Sequence, residues 1–207
     1  MKKYELTTET KVVSGHTLYR IRALVAFGNV DTGELGGWIE KESNLAQDGN
    51  AWVYGDAEVY DNAWVYGDAE VYGNARVSGD AEVYGHARIY GDTKVSNHAR
   101  IFGNARIYDN AEVYGYARVY GNAWVSGDAW VYGNASIMTI SHIGSRFGTT
   151  TFFALKNGKI GVQCGCFYGD IDQFAARVEQ THGDNQHGKA YKLAIELAKL
   201  RLQTRKE

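Results

Sequence analysis

Arg146, Thr149, Thr151 and Lys159 bring two cations and two hydroxyls into one short stretch, a set suited to gripping a small anion, although ordinary hairpin polarity accounts for the same residues. Four of the six histidines also invite a chemical reading. His86 and His98 stand twelve residues apart beside turns, where Asn or Asp otherwise sits, and fall on different faces of the repeat described below. That placement reads as polar turn residues. His182 and His187 have an H-x4-H spacing, but an isolated pair of histidines is a weak metal signal and no metal is expected. Cys164 and Cys166 are separated by one residue, which suits neither a CxxC redox site nor a four-ligand zinc site, so both are expected as buried, reduced thiols. The chain has no Walker loop, no GxSxG elbow and no paired-carboxylate motif in a plausible cleft.

The element that must position these side chains is a repeat. From Asn50 to Thr139 a six-residue unit recurs fifteen times: the second residue is Ala in fourteen units, with Thr93 the exception, and the fourth is Val or Ile in all. A period of six cannot follow a helix of 3.6 residues per turn, but it fits a short strand followed by a bend. Positions two and four then face inward, and three and five outward. The sixth residue is Gly in eleven units and Asp61, Asn97, Asp109 and Thr139 in the others. Gly, Asn and Asp tolerate positive φ, so the chain turns its corner there.

This pattern resembles the hexapeptide repeat of left-handed parallel β-helix proteins, in which three units complete one coil of a triangular prism. Two looser units come before the run, with Ile39 and Leu45 in the Ala position, so the prism is expected to start near Trp38 and to run for five coils and a partial one. At ~4.8 Å per rung, five coils stand roughly 24 Å tall. The expected organisation is an N-terminal cap over 1–37, the β-helix over 38–139 and a small ββαα module over 140–207.

Residues eighteen apart should then stack, placing Glu58 under Arg76, Glu70 under Arg88, Glu82 under Arg100 and Lys94 under Glu112. Fifth positions form aromatic columns, such as Tyr66, Tyr84, Phe102 and Tyr120. Trp52, Trp64, Trp124 and Trp130 fall on outer faces. They are too many large apolar groups to leave wet, so some are expected between subunits of a homotrimer.

The net charge of −2 is unevenly divided: residues 50–139 carry six Lys/Arg against eleven Asp/Glu, and residues 140–207 carry ten against six. The basic end suits a small anion or a host protein better than nucleic acid, which is not expected as a partner. No apolar run approaches the ~20 residues of a membrane span. Met1 to Leu6 lead into no apolar block of a secretion signal, so a cytoplasmic location in a bacterial host cell is expected.

A strand or hairpin arm over 16–27, followed by a Gly-rich loop from Gly28 to Gly37, would cover the first coil, whose open strand edge would otherwise recruit another chain. At the other end, β-rich runs over 149–155 and 159–167 flank Asn157-Gly158, a tight-turn signal. Asp170 with Gln173 forms a capping box for a helix whose apolar stripe is Ile171, Phe174, Ala175 and Val178. A last helix should turn Leu193, Ala194, Leu197 and Ala198 inward.

Sugar- and antibiotic-modifying acyltransferases share the prism. That resemblance implies a homotrimer, acetyl-CoA as acyl donor and a histidine as general base on a substrate hydroxyl, here His86 or His98. Such enzymes also push a loop out of the prism to wall off the donor, whereas the fifteen units here carry no insertion. The γ-class carbonic anhydrases hold zinc on the same prism, but His182 and His187 fall outside the coils. Gly15 to Leu24 and Leu35-Gly36-Gly37-Trp38-Ile39-Glu40 look like the opening segment of YdcK-type hexapeptide-repeat proteins, which are labelled acyltransferases by fold analogy. Gly144 to Phe152, Cys164-Gly165-Cys166-Phe167 and His182-Gly183-Asp184-Asn185 are similar to modules of phage and prophage relatives.

Three functions are consistent with these features. The first is a non-catalytic binding protein, phage-encoded and directed at a host defence factor or a small anionic ligand, with Arg146, Thr149, Thr151 and Lys159 as contacts and no cofactor. The second is an acetyl-CoA-dependent acyltransferase. The third is a structural spike or spacer, which would leave the C-terminal module without a purpose.

Overall fold

The computed structural model describes residues 2–133 and 136–202. From Trp52–Val53 to Trp130–Tyr132 each repeat unit forms one short strand, paired in parallel with the strand a coil away. Arg88 pairs with Glu70 and Arg106, Lys94 with Arg76 and Glu112, and Arg100 with Glu82 and Arg118. The eighteen-residue offset holds in all three columns, so the chain is a three-faced β-solenoid of about five turns. Every second- and fourth-position side chain from Ala51 to Val131 is buried. Thr93 keeps the pattern by donating its hydroxyl to the Tyr90 carbonyl at 3.0 Å. Each enclosed Val or Ile contributes about 1.5–3 kcal/mol relative to exposure, and these side chains form the axis that holds the coils together.

The corners behave as their residue types require. Asp61, Asn97 and Asp109 have φ of 58°, 59° and 61°. The Asp61 and Asp109 carboxylates accept hydrogen bonds from the amides of Gly79 and Gly127 one coil on, at 3.0 and 3.1 Å. At Gly79 a Cβ would lie 2.7 Å from the amide nitrogen of Asn97, so the corner excludes a side chain for two separate reasons. Outside, the stacked charges meet: Arg76–Glu58 at 2.9 Å, Arg88–Glu70 and Arg100–Glu82 at 3.0 Å, and Lys94–Glu112 at 3.2 Å. Tyr66, Tyr84, Phe102 and Tyr120 stack at 4.7, 4.9 and 5.2 Å between successive rings.

Both ends depart from the simple repeat. Trp38 pairs with Glu58, Ile39 with Val59 and Leu45 with Val65, so Ile39 and Leu45 occupy the fourth position and not the Ala position. The shift of phase is absorbed between Ala46 and Asn50, where Gly49 has φ 66°. At the far end Ile137 begins the strand Ile137–Ile143 of a separate antiparallel sheet, while its side chain still packs against the solenoid core.

At the start, Tyr4–Val13 and His16–Ala23 form an antiparallel hairpin, and its second strand pairs with Leu35–Ile39 to continue one prism face. The first of these strands was not anticipated. Gly36 lies where this strand passes the first coil; a Cβ there would come within 2.6 Å of the Ile21 side chain and the Val53 carbonyl. Trp52, expected outside, is fully buried, with Tyr4 and Phe27 edge-on to its ring at 6.0 and 5.3 Å.

The coil ladder has a direction. The third- and fifth-position amides donate to carbonyls of the following coil, as Trp52 does to Ala69 and Tyr54 to Val71. Carbonyls are therefore left over at the N-terminal end. The buried Lys3 ammonium donates to those of Asp48, Gly49 and Ala51 at 3.3, 3.4 and 3.0 Å. Burial lowers the Lys3 pKa to about 8 against the pull of Asp48 and Asp68.

The C-terminal module is a four-stranded antiparallel sheet followed by two helices, two strands more than the ββαα expectation. Its strands run in order Ile137–Ile143, Gly148–Ala154, Ile160–Cys164 and Phe167–Asp170. Helix α1, Ile171–His182, starts with the expected reciprocal cap: Asp170 accepts from the Asp172 and Gln173 amides, and the Gln173 side chain accepts from the Asp170 amide. Ile171, Phe174 and Val178 are buried on its inner side. Helix α2, Gln186–Arg201, buries Tyr191, Ala194, Ile195 and Ala198. Leu193 and Leu197 point outward, contrary to expectation, because Tyr191 and Ile195 offer the sheet a competing stripe at the same spacing. No helix among the described residues is long and apolar enough to cross a membrane.

Candidate functional site

The C-terminal sheet docks on the last coil through mixed contacts. Ala129 bridges Leu155, the Lys156 ammonium meets the Glu112 carboxylate at 3.2 Å, and the Ser126 hydroxyl donates to Gln163 Oε1 at 3.2 Å. Thr151 Oγ1 accepts from the Trp124 amide, a donor on the C-terminal rim of the ladder, at 3.2 Å.

Beside this seam the solenoid and the module line an open cavity of about 550 Å³. Asn122 and Trp124 line it from the last coil, and the Arg106 guanidinium lies 4.8 Å from the Trp124 ring. Phe167 and Phe174 form an aromatic wall with Tyr191: ring centroids are 5.2 Å apart for Phe167–Phe174 and 5.4 Å for Phe174–Tyr191. Two exposed guanidinium groups complete the lining, Arg146 from the turn after Ile143 and Arg177 from α1. The Cys164 thiol accepts from the Thr150 hydroxyl at 3.1 Å and lies 3.5 Å from the Tyr191 hydroxyl. Burial first, and then the Cys164 contact, hold the Tyr191 pKa far above the ordinary phenol value. The site can therefore offer an apolar, aromatic surface and fixed positive charge to one ligand.

The structure divides the expected contacts. Arg146 and Thr149 line the cavity. Thr151 is buried and committed to the Trp124 amide. Lys159 lies in a different depression, paired with Asp170 at 2.8 Å, and this carboxylate raises its pKa. Its role is at the α1 cap. Neither cysteine is buried: Cys164 is half-buried and Cys166 exposed, and both line the cavity. His86 and His98 lie on different columns of the solenoid, with Nδ1 3.6 Å from Asp68 and 3.5 Å from Asp80. His182 lines the cavity, with its ring 5.7 Å from Tyr191 and 5.8 Å from His187.

Of the four tryptophans expected between subunits, Trp52 has no surface to give. Trp64 is 44% exposed and stacks on Tyr66 at 4.0 Å, Trp124 faces the cavity, and Trp130 tilts against Tyr114 at 5.6 Å. Sequence reasoning passed over Arg177, Cys164 as a cavity group, and Tyr191. For Arg177 the available signal was its standing as the one Lys or Arg of α1, outside the helix's apolar stripe.

Among the described residues, His16, Glu40 and Asp61 are the side chains whose ligand atoms gather closely enough to share a metal ion. Their geometry fits a proton better. Imidazole Nδ1 meets Glu40 at 3.0 Å and Nε2 meets Asp61 at 3.4 Å, while the second oxygens of Glu40 and Asp61 accept the amides of Asp61 and Gly79. The Glu40 hydrogen bond is the main cause that raises the His16 pKa and lowers that of Glu40. The His16 ring thus fastens the N-terminal hairpin to a solenoid corner.

Compared with known proteins, residues 69–85, 99–115 and 117–133 match the family model described as YdcK beta solenoid repeat. Over 62 residues, 26% of this chain, the sequence is 39% identical to a protein of Escherichia coli (strain K12) described as "Uncharacterized acetyltransferase YdcK". The chain spans 19% of that relative's length. These three stretches of the solenoid are thus similar to repeats of the YdcK type.

Proposed function

We propose that this chain is a non-catalytic binding protein that takes a small anionic ligand with a flat or apolar body into the cavity between its solenoid and its C-terminal module. The observation that carries this reading is the meeting of Trp124, Phe167 and Phe174 with Arg146 and Arg177 around one volume of about 550 Å³. That size falls among ligand pockets, and a mostly apolar lining with few charged groups is their usual make-up. Cys164 is held by hydroxyls of Thr150 and Tyr191, neither of which is a base at neutral pH, and this favours binding over nucleophilic chemistry. In a phage-encoded chain such a cavity would sequester a small anionic host signal and so blunt a host defence.

Native mass spectrometry of the protein purified from bacterial lysate, followed by calorimetry with the released compound, tests the reading. Arg146→Ala and Arg177→Ala should each weaken binding about tenfold or more, as expected for loss of a charged hydrogen bond of about 1.5–3 kcal/mol. Wild-type affinity in both variants would sink it.

A second reading, acyl transfer from acetyl-CoA, draws on the label of the Escherichia coli relative and on the carboxylates beside His86 and His98. It requires a large thermal shift with acetyl-CoA and loss of turnover in His86→Ala or His98→Ala.

A further inference from the structure

Helix α2 is apolar on two sides. Its inner side packs Tyr191, Ala194, Ile195 and Ala198 against the module's core, with Leu202 at its end. On the opposite side Leu193, Leu197 and Leu200 lie at i, i+4 and i+7 and are 73%, 45% and 84% exposed. Other exposed large side chains, such as Val12, Tyr116 and Phe147, are dispersed over the hairpin, the prism and a turn. The leucines form one stripe along one helix, with the spacing by which helices pair in a coiled coil.

The flanking charges identify the occupant. Glu196 borders the stripe on one side and Arg201 on the other, five residues later. In a parallel pair of identical helices with leucines in register, the residue before one stripe position faces the residue five further along on the neighbour. Glu196 of each copy then meets Arg201 of the next. In an antiparallel pair centred on the same leucines, Glu196 would face Glu196. Among the described residues, the ion pair of Glu196 within its own chain is a long one, to Lys199 at 3.9 Å. We infer that α2 is a self-association helix, through which copies of this chain pack their Leu193, Leu197 and Leu200 stripes in parallel about a common axis. This places the contact at the C-terminal module and not on the prism tryptophans, and it does not depend on what the cavity binds.

Sedimentation equilibrium of the full chain at micromolar concentration should give a multiple of 22.9 kDa. The triple variant Leu193→Gln, Leu197→Gln, Leu200→Gln should give the single-chain mass with an unchanged circular dichroism spectrum, because these side chains take no part in the monomer's core. Glu196→Arg and Arg201→Glu should each weaken association about tenfold, and the two combined should restore it. A wild-type chain that sediments as a monomer, or a triple variant that keeps the wild-type mass, overturns the proposal. Failure of the combined reversal to restore association overturns the parallel register.

Discussion

Lys11 on the first hairpin strand lies 2.8 Å from Glu58, whose carboxylate also meets Arg76 at 2.9 Å. The Glu58 side chain is only 8% exposed and Lys11 28%, whereas the otherwise similar pair Lys94–Glu112 is 57% and 25% exposed. Water screens the second pair and largely leaves the first. An exposed ion pair contributes about 0.2–1 kcal/mol, and a hydrogen bond to a charged group about 1.5–3 kcal/mol when shielded. The Glu58 oxygen that meets Arg76 is buried without a well-directed hydrogen bond, so the carboxylate as a whole is incompletely compensated and the lower end of that range applies. A coupling of about 1–2 kcal/mol is therefore expected between Lys11→Met and Glu58→Gln, against less than about 1 kcal/mol between Lys94→Met and Glu112→Gln. Lys11 also lies 4.6 Å from the Trp38 ring, so its single replacement should cost more than the coupling alone. Urea unfolding of both double-mutant cycles, read by tryptophan fluorescence, supplies the numbers. Equal coupling in the two cycles would refute the reasoning, since burial is the only difference invoked.

The remaining expectations concern other parts of the chain. Asp170→Ala removes the α1 cap and should destabilise the module by about 1 kcal/mol in denaturant titration. Because Lys159 holds the Asp170 pKa below its ordinary value, the cap's charge contribution is present above the unfolded carboxyl range and fades as pH falls through the folded value. For His16 the sign is opposite: its pKa is raised, so its contribution is full below the unfolded histidine value and is lost as pH rises through the folded one. Amide exchange in residues 4–23, corrected for intrinsic rate, should accelerate over that rise in wild type and show no such step in His16→Ala. Gly36→Ala forces a methyl against the Val53 carbonyl and should cost at least about 1–3 kcal/mol in thermal unfolding, where an equally stable variant would contradict the close approach.

The rungs were legible because a coil residue's neighbours are fixed by arithmetic: Glu70 meets Arg88 wherever the period holds. The same holds for Asp61, Asn97 and Asp109 at corners only such residues tolerate. Where the period stops, so does the inference. Trp52 has the sequence environment of Trp64, yet one is buried and the other exposed, because Tyr4 and Phe27 arrive from outside the repeat. Ile137 satisfies the unit's fourth position and also an antiparallel strand, and local pattern cannot choose between them. In α2 two aliphatic stripes share one spacing, and only the sheet beneath decides which is covered. Half of the candidate anion contacts met the cavity for a related reason: Arg146 and Lys159 are near in sequence but stand beyond opposite ends of the strand Gly148–Ala154 and line different depressions.

Because the third- and fifth-position amides all donate toward the C-terminal end, the two extremities of the prism differ in chemistry. One leaves carbonyls, three of which an amine meets; the other leaves amides, one of which a hydroxyl oxygen meets. Every interior turn has the same two rims as the whole, so excising eighteen residues, such as 74–91, would rejoin matching rims and leave both closures untouched. Height in this molecule is then an adjustable dimension, set by how many turns separate the amine from the oxygen and not by either terminus.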